Sequence, residues 1–100
     1  MKLLVLDDML PRGLAGELAA RGRPARTLAE LGLEGAPDSE AVAVVGVLVT
    51  ADEATARTRP AGGTVALVAA PAGSNRRDVV HRHAHEMAAQ RPGSLRRYLG

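Results

Sequence analysis

Three short runs of branched aliphatic residues constrain this chain more than any other feature: KLLVL at 2–6, GVLVT at 46–50 and GTVALV at 63–68. Each run is continuous. A strand with one wet face alternates apolar and polar residues, whereas a strand of a parallel sheet covered on both faces does not. Helical patterns separate the runs. Pro11 suits a first helical turn, Leu14, Ala15, Leu18 and Ala19 then form an apolar stripe, and Gly22 stops it. Asp38 or Ser39 caps a helix carrying Ala41, Val42 and Val45, with Glu40 in its first turn. A short helix follows GVLVT as far as Arg57. Ser74 or Asn75 opens a last helix through Gln90, with Val80, Ala84, Met87 and Ala88 inward and Arg82 and Glu86 as an exposed i,i+4 pair. Residues 24–28 and 95–99 add short strands, the latter at an edge. Strands alternating with helices predict βαβ units, hence a single three-layer α/β/α domain around a central, mostly parallel sheet.

The chain has 100 residues, of which 46% are apolar, and Tyr98 is its only aromatic residue. Its core must therefore be built from Leu, Val and Ala, with small residues letting helices sit close. The absence of cysteine excludes disulfides, thiolate metal sites and a cysteine nucleophile. No apolar run approaches the roughly 20 residues needed to cross a bilayer, and MKLLVLDDML turns acidic too soon for a signal peptide. The expectation is a soluble, cytoplasmic protein with no membrane partner. Charge is unevenly spread: residues 1–56 carry five basic and nine acidic side chains, whereas residues 57–100 carry eight arginines against Asp78 and Glu86. Every basic residue but Lys2 is Arg, the side chain that forks onto phosphates. An acidic half joined to an arginine-rich half suits a metal site beside a nucleic-acid track, and equally suits a coding bias toward Arg and Ala.

Ligands of open parallel sheets gather at the carboxyl ends of the strands, near the point where strand order reverses. The acids of the first half fall there. Asp7 and Asp8 end the first run, Asp52 follows GVLVT, and Asp38 opens the intervening helix. Asp7, Asp38 and Asp52 brought together would repel one another without a cation between them. Mg²⁺ or Mn²⁺, hard ions that take carboxylate and water oxygens, fit such a trio, and either could polarise a phosphoryl oxygen. Each aspartate also has an ordinary use, as a helix cap, a turn opener or a strand end.

In order along the chain, LVLDDMLP (4–11), AARGRPARTLAELGLEGAPDSEAV (19–42) and VLVTADEA (47–54) resemble the motifs of small stand-alone PIN-like proteins. That group is related to the Mut7-C ribonuclease domain and to VapC-type toxins. The resemblance covers roughly residues 2–70 and rests on the combination rather than on any single piece. It implies a PIN-like fold and a metal-dependent endoribonuclease that hydrolyses RNA phosphodiesters, often the toxin of a toxin–antitoxin pair. The family's metal-binding and catalytic acids map onto Asp7, Asp38 and Asp52, with Asp8, Glu40 and Thr50 in support; Asp8 stands where Glu is usual. The implied partners are RNA and a small antitoxin that blocks the site. A homodimer is a further expectation, because so small a domain gains from burying apolar surface. The chain departs from the pattern where the family's second TxDxDF acid falls on Ala54, its aromatic neighbour on Thr55, and Met9 replaces Asn. The span between Asp38 and Thr50 is also about four residues short. A lost ligand is compatible with one-metal hydrolysis and with a scaffold that binds RNA or protein without cutting.

Other groups compete for a role. Arg76 and Arg77 in GSNRR (73–77), at a helix start, are candidate phosphate contacts, or simply part of a polar loop. His81 and His85 have i,i+4 spacing that can chelate zinc, but RHAHE lacks the order of a zinc-protease motif, and a solvated basic face is the simpler expectation. Receiver domains also open with an apolar strand and an acidic pair, so a phosphoacceptor domain is a second alternative. No lysine follows GTVALV, as a receiver would require.

Overall fold

The computed structural model describes residues 2–33, 46–57, 63–70 and 74–99. Within them the chain runs β1 (Leu4–Leu6), α1 (Leu14–Ala20), β2 (Ala25–Thr27), a 3₁₀ turn (Ala29–Leu31), β3 (Val47–Thr50), α2 (Glu53–Arg57), β4 (Val65–Ala69), α3 (Ser74–Ala88) and β5 (Leu95–Leu99). The strands form one sheet in the order β2-β1-β3-β4-β5, every pair parallel. The helix expected from Asp38 or Ser39, with Glu40, lies outside the described residues.

The continuous apolar runs are explained by burial on both faces. Leu4, Leu6, Val47, Val49, Ala66 and Val68 point to one side, where Leu14 and Leu18 of α1 and Val80, Ala84 and Met87 of α3 cover them. Val5, Leu48, Val65 and Leu67 point to the other, against Leu28 and Ala56. This is the three-layer α/β architecture, with α1 and α3 in one layer and α2 in the other.

That layering has a topological consequence. The β1–α1–β2 connection moves one way along the sheet over the first face, and β3–α2–β4 moves the opposite way over the second, so the two share a hand. The β4–α3–β5 connection continues in the direction of β3–α2–β4 but crosses the first face. Its hand is therefore opposite to theirs, against the strong preference for one hand in parallel crossovers. The reversal places α3 beside α1.

Two local devices hold the ends together. Tyr98 is buried and donates its hydroxyl to Gln90 Oε1 (2.9 Å), while Gln90 Nε2 donates to the Val65 carbonyl (2.9 Å) and to Ser94 Oγ (3.2 Å). Burial raises the Tyr98 phenol above its ordinary pKa, so the hydroxyl remains a donor. On the second face, Arg97 of β5 donates to Glu53 Oε1 at the start of α2 (2.7 Å), and Arg57 holds Oε2 of the same carboxylate (3.1 Å).

Several boundaries differ from expectation. Pro11 is not in the first turn of α1: the helix starts at Leu14, because Gly13 takes a left-handed conformation (φ 80°) that separates it from the β1 loop. β1 begins two residues later than expected, β4 starts at Val65 rather than at 63, and α3 ends at Ala88 as Gln90 turns inward. Glu86 pairs with His83 (3.1 Å) rather than with Arg82.

Gly46 has φ 122°, and a Cβ there would run into the Leu3 carbonyl, whose oxygen accepts the Val47 N–H (2.8 Å) to start the β1–β3 pairing. Gly46→Ala should cost about 2 kcal/mol or more, from backbone strain plus overlap, read as a lowered urea midpoint. Glu53 is held below the usual carboxylate value of 4.5 by the Arg97 hydrogen bond first, then by the charges of Arg97 and Arg57. A lowered folded-state pKa means stability that is present at neutral pH and lost as pH falls below 4.5. Glu53→Gln should therefore flatten the acid limb of a stability-against-pH curve below that value.

Candidate metal and nucleic-acid site

The strand order reverses between β1 and β3, and their carboxyl ends carry Asp7 and Thr50. The parallel ladder continues one step past β1, with the Asp7 N–H donating to the Val49 carbonyl (2.9 Å). Thr50 is fully buried (0% exposed), and its Oγ1 donates to Asp7 Oδ2 at 2.6 Å. The same Oγ1 accepts the Asp52 N–H (3.1 Å), so one hydroxyl joins Asp7 to the start of α2. Asp7 Oδ1 accepts the Asp8 N–H (2.7 Å), and its carbonyl closes a turn onto the Leu10 N–H (3.1 Å).

Asp52 caps α2. Its Oδ1 accepts the Ala54 N–H (3.0 Å), its Oδ2 accepts from Thr55 Oγ1 (3.1 Å), and Ala56 donates to its carbonyl (3.2 Å). Asp52, whose ordinary use from the sequence was to open a turn, caps a helix instead, yet this leaves coordinating capacity. An ionised carboxylate has about four lone-pair sites, and each oxygen of Asp7 and Asp52 uses one in these contacts. Carboxylate oxygens beside a hydroxyl are the hard donors that Mg²⁺ and Mn²⁺ prefer, so the residues present fit such an ion.

Among the described residues, no group of three or more His, Asp or Glu side chains stands together as a metal cage. Of the three acids expected as ligands, Asp7 and Asp52 are linked through the Thr50 hydroxyl; Asp38, and Glu40 with it, lie outside the described residues. Asp8 is exposed at the loop surface. Glu53 does not replace the acid missing at Ala54, because Arg97 and Arg57 hold its carboxylate on the second face.

The arginines expected to meet phosphate are used within the fold. Arg76 Nε donates to the Ala70 carbonyl at the carboxyl end of β4 (3.1 Å), and Arg77 Nη2 donates to the Arg12 carbonyl in the β1–α1 loop (3.1 Å). The histidines correct an expectation. His81 is not on a solvated face: its side chain is 14% exposed and its Nε2 lies 2.8 Å from Glu17 Oε1. The zinc-chelating spacing of His81 and His85 is taken up by arginines, since Arg21 and Arg23 reach their Nδ1 atoms at 3.3 and 3.0 Å.

A cleft of about 240 Å³ opens beside Asp7, lined by Asp8, Arg12 and Gly13 of the loop, by Thr27 at the end of β2 and by Ala29 of the 3₁₀ turn. Thr27 and Arg12 were not singled out from the sequence, although Thr27-Leu-Ala-Glu30 has capping-box spacing. The box forms: the Thr27 N–H donates to Glu30 Oε1 (3.1 Å) and the Glu30 N–H donates to Thr27 Oγ1 (3.1 Å).

No protein-family model, curated protein or solved structure matches this chain.

Replacing Thr50 by Val keeps the shape but leaves Asp7 Oδ2 and the Asp52 N–H without their shared partner. The expected loss is about 1–3 kcal/mol of stability, measured by denaturant unfolding without added metal. Asp52→Ala should cost about 1 kcal/mol through the lost cap. Asp52→Asn keeps a capping oxygen and should fall well short of that.

Proposed function

We propose that this chain is a PIN-like, Mg²⁺- or Mn²⁺-dependent ribonuclease with Asp7 as its central metal ligand. The observation that carries the proposal is the buried Thr50 hydroxyl, which holds Asp7 at the strand-order reversal and ties it to the capping residue Asp52. An aspartate whose only task is to end a strand needs no buried hydroxyl to fix its rotamer. Asp52 would be the second ligand, Asp38 the third, and Asp8 and Glu40 would support them. A bound Mg²⁺ or Mn²⁺ would supply Lewis acidity toward a phosphoryl oxygen and a more acidic water. The protein's own part is orientation: Thr50 stops Asp7 from rotating, and the α2 cap holds the Asp52 carboxylate in place. The cleft beside Asp7, with Arg12 on its wall, is the natural seat for one nucleotide of the substrate.

The same reading takes RNA as substrate, a cytoplasmic setting, and a small antitoxin protein that silences the enzyme by covering the Asp7 corner; self-association into a homodimer would cover further apolar surface. A second reading, a scaffold that binds RNA or protein without cutting, is favoured by Ala54 and by the commitment of Asp52 to capping. A phosphoacceptor role is the remaining alternative. It shares the parallel 2-1-3-4-5 strand order but has no lysine after β4.

The test is RNA cleavage with Mn²⁺. Wild type should cut, Asp7→Asn should not, and Thr50→Val should lose roughly 10–100-fold, as second-layer partners of metal ligands do. Equal cleavage by wild type and Asp7→Asn removes the site assignment. Asp7-dependent Mn²⁺ binding without cleavage selects the scaffold, and tight beryllofluoride binding selects the phosphoacceptor.

A further inference from the structure

The reversed crossover lays α3 against α1, and the seam between them is polar. Arg77, His81 and His85 recur every four residues along α3, on one face and about 6 Å apart per step at 1.5 Å rise. Each meets a group from the segment around α1. Arg77 Nη2 donates to the Arg12 carbonyl, and its Nε lies 3.2 Å from Glu17 Oε1, near enough for charge attraction but outside hydrogen-bond geometry. Below it, His81 bridges Glu17 and Arg21, and His85 meets Arg23.

Arginine can only donate, so Nδ1 of both rings is the acceptor, and the His81 proton sits on Nε2, where it is given to Glu17. Glu17 is held below the ordinary carboxylate range, by the His81 hydrogen bond first and the Arg77 charge next. It is therefore already engaged, by Arg77 as counter-charge. Arg21 has no carboxylate partner among the described residues. An imidazole acceptor carries no charge, so His81 aims the Arg21 guanidinium without neutralising it. The backbone beneath is fixed as well. Arg21 and Arg23 flank Gly22 (φ 77°), and both N–H groups return to the Leu18 carbonyl (3.0 and 2.9 Å).

We propose that the α1–α3 seam is a track for the phosphate backbone of single-stranded RNA, running from the Asp7 loop down to Arg21 and Arg23. The identity of the strand rests on the ribonuclease reading; the contact itself rests on the seam. Arg77 ties the top of the seam to the carbonyl of Arg12, in the loop that lines the cleft beside Asp7, so the track leads to that loop. Arg21 uses one of its five donors on His81, which leaves a forked edge for phosphate. The only aromatic side chain, Tyr98, is buried away from the seam among the core residues. No Phe, Tyr or Trp ring is therefore offered to the bases, and binding is dominated by charge rather than by sequence.

The experiment is fluorescence anisotropy with a short fluorescein-labelled oligouridine, the full chain, a chelator to prevent cleavage, and a NaCl series. Arg21→Ala/Arg23→Ala should bind at least about 10-fold more weakly, with a slope of log affinity against log salt shallower by about 1.4. Arg82→Ala, on the α3 surface beside Asn75 and Asp78, should change neither. Circular dichroism confirms that the variants fold. A double variant that binds as wild type, at unchanged slope, overturns the track whatever cleavage shows. Polyglutamate displacing the oligouridine at equal charge concentration also overturns it, in favour of an acidic protein segment. If wild type fails to cut RNA with Mn²⁺ but the double variant still loses oligouridine affinity, the track stands and the ribonuclease reading falls.

Discussion

One hydroxyl closes the centre of this molecule. β1 and β3 pair at the middle of the sheet, and the pairing ends where Thr50 Oγ1 donates to Asp7 Oδ2 and accepts the Asp52 N–H. Below that bond β1 and β3 carry only Leu and Val, with no polar side chain to specify their register; at and beyond it lie Asp7, Asp8 and Asp52, the candidate ligands among the described residues. A buried hydroxyl without partners would be costly, of the order of 1–3 kcal/mol. Satisfied on both sides, it instead fixes the loop after β1 relative to the start of α2. Fold and site meet in the same contact.

The layering follows from composition. With one aromatic residue and no cysteine, cohesion depends on close packing of small aliphatics on both faces of the sheet, and the exposed edges are managed by charge. β5 is an edge strand whose Arg96 and Arg97 are exposed, one on each face of the sheet, and charge on an edge strand discourages further strand pairing. Arg97 also clamps β5 to α2 through Glu53, and Gln90 clamps it to α3 through Tyr98.

The parts legible in the sequence are those governed by local pattern. GVLVT and GTVALV announce strands buried on both faces because they do not alternate, and a short helix is expected between GVLVT and Arg57, although not its Asp52 cap. The pairing of Asp7 with Thr50 could be anticipated only from the order of several motifs, since 43 residues separate them. The opposite hand of the last crossover was not legible. It depends on which face α3 chooses, and that choice is expressed in contacts such as His81 with Glu17, 64 residues apart. RHAHE looked like a solvated run for the same reason: helical spacing shows that His81 and His85 share a face, not that arginines from another segment will occupy it. The polar seam is a tertiary feature, written in residues that are individually unremarkable.

The role proposed for Asp7, held by Thr50, is that of a cation ligand. Titration calorimetry with Mn²⁺ on the folded full-length chain addresses it without depending on any RNA substrate. Wild type should bind Mn²⁺, Asp7→Asn should lose that binding, and Thr50→Val should bind more weakly. Mn²⁺ binding that is identical in wild type and Asp7→Asn would contradict it.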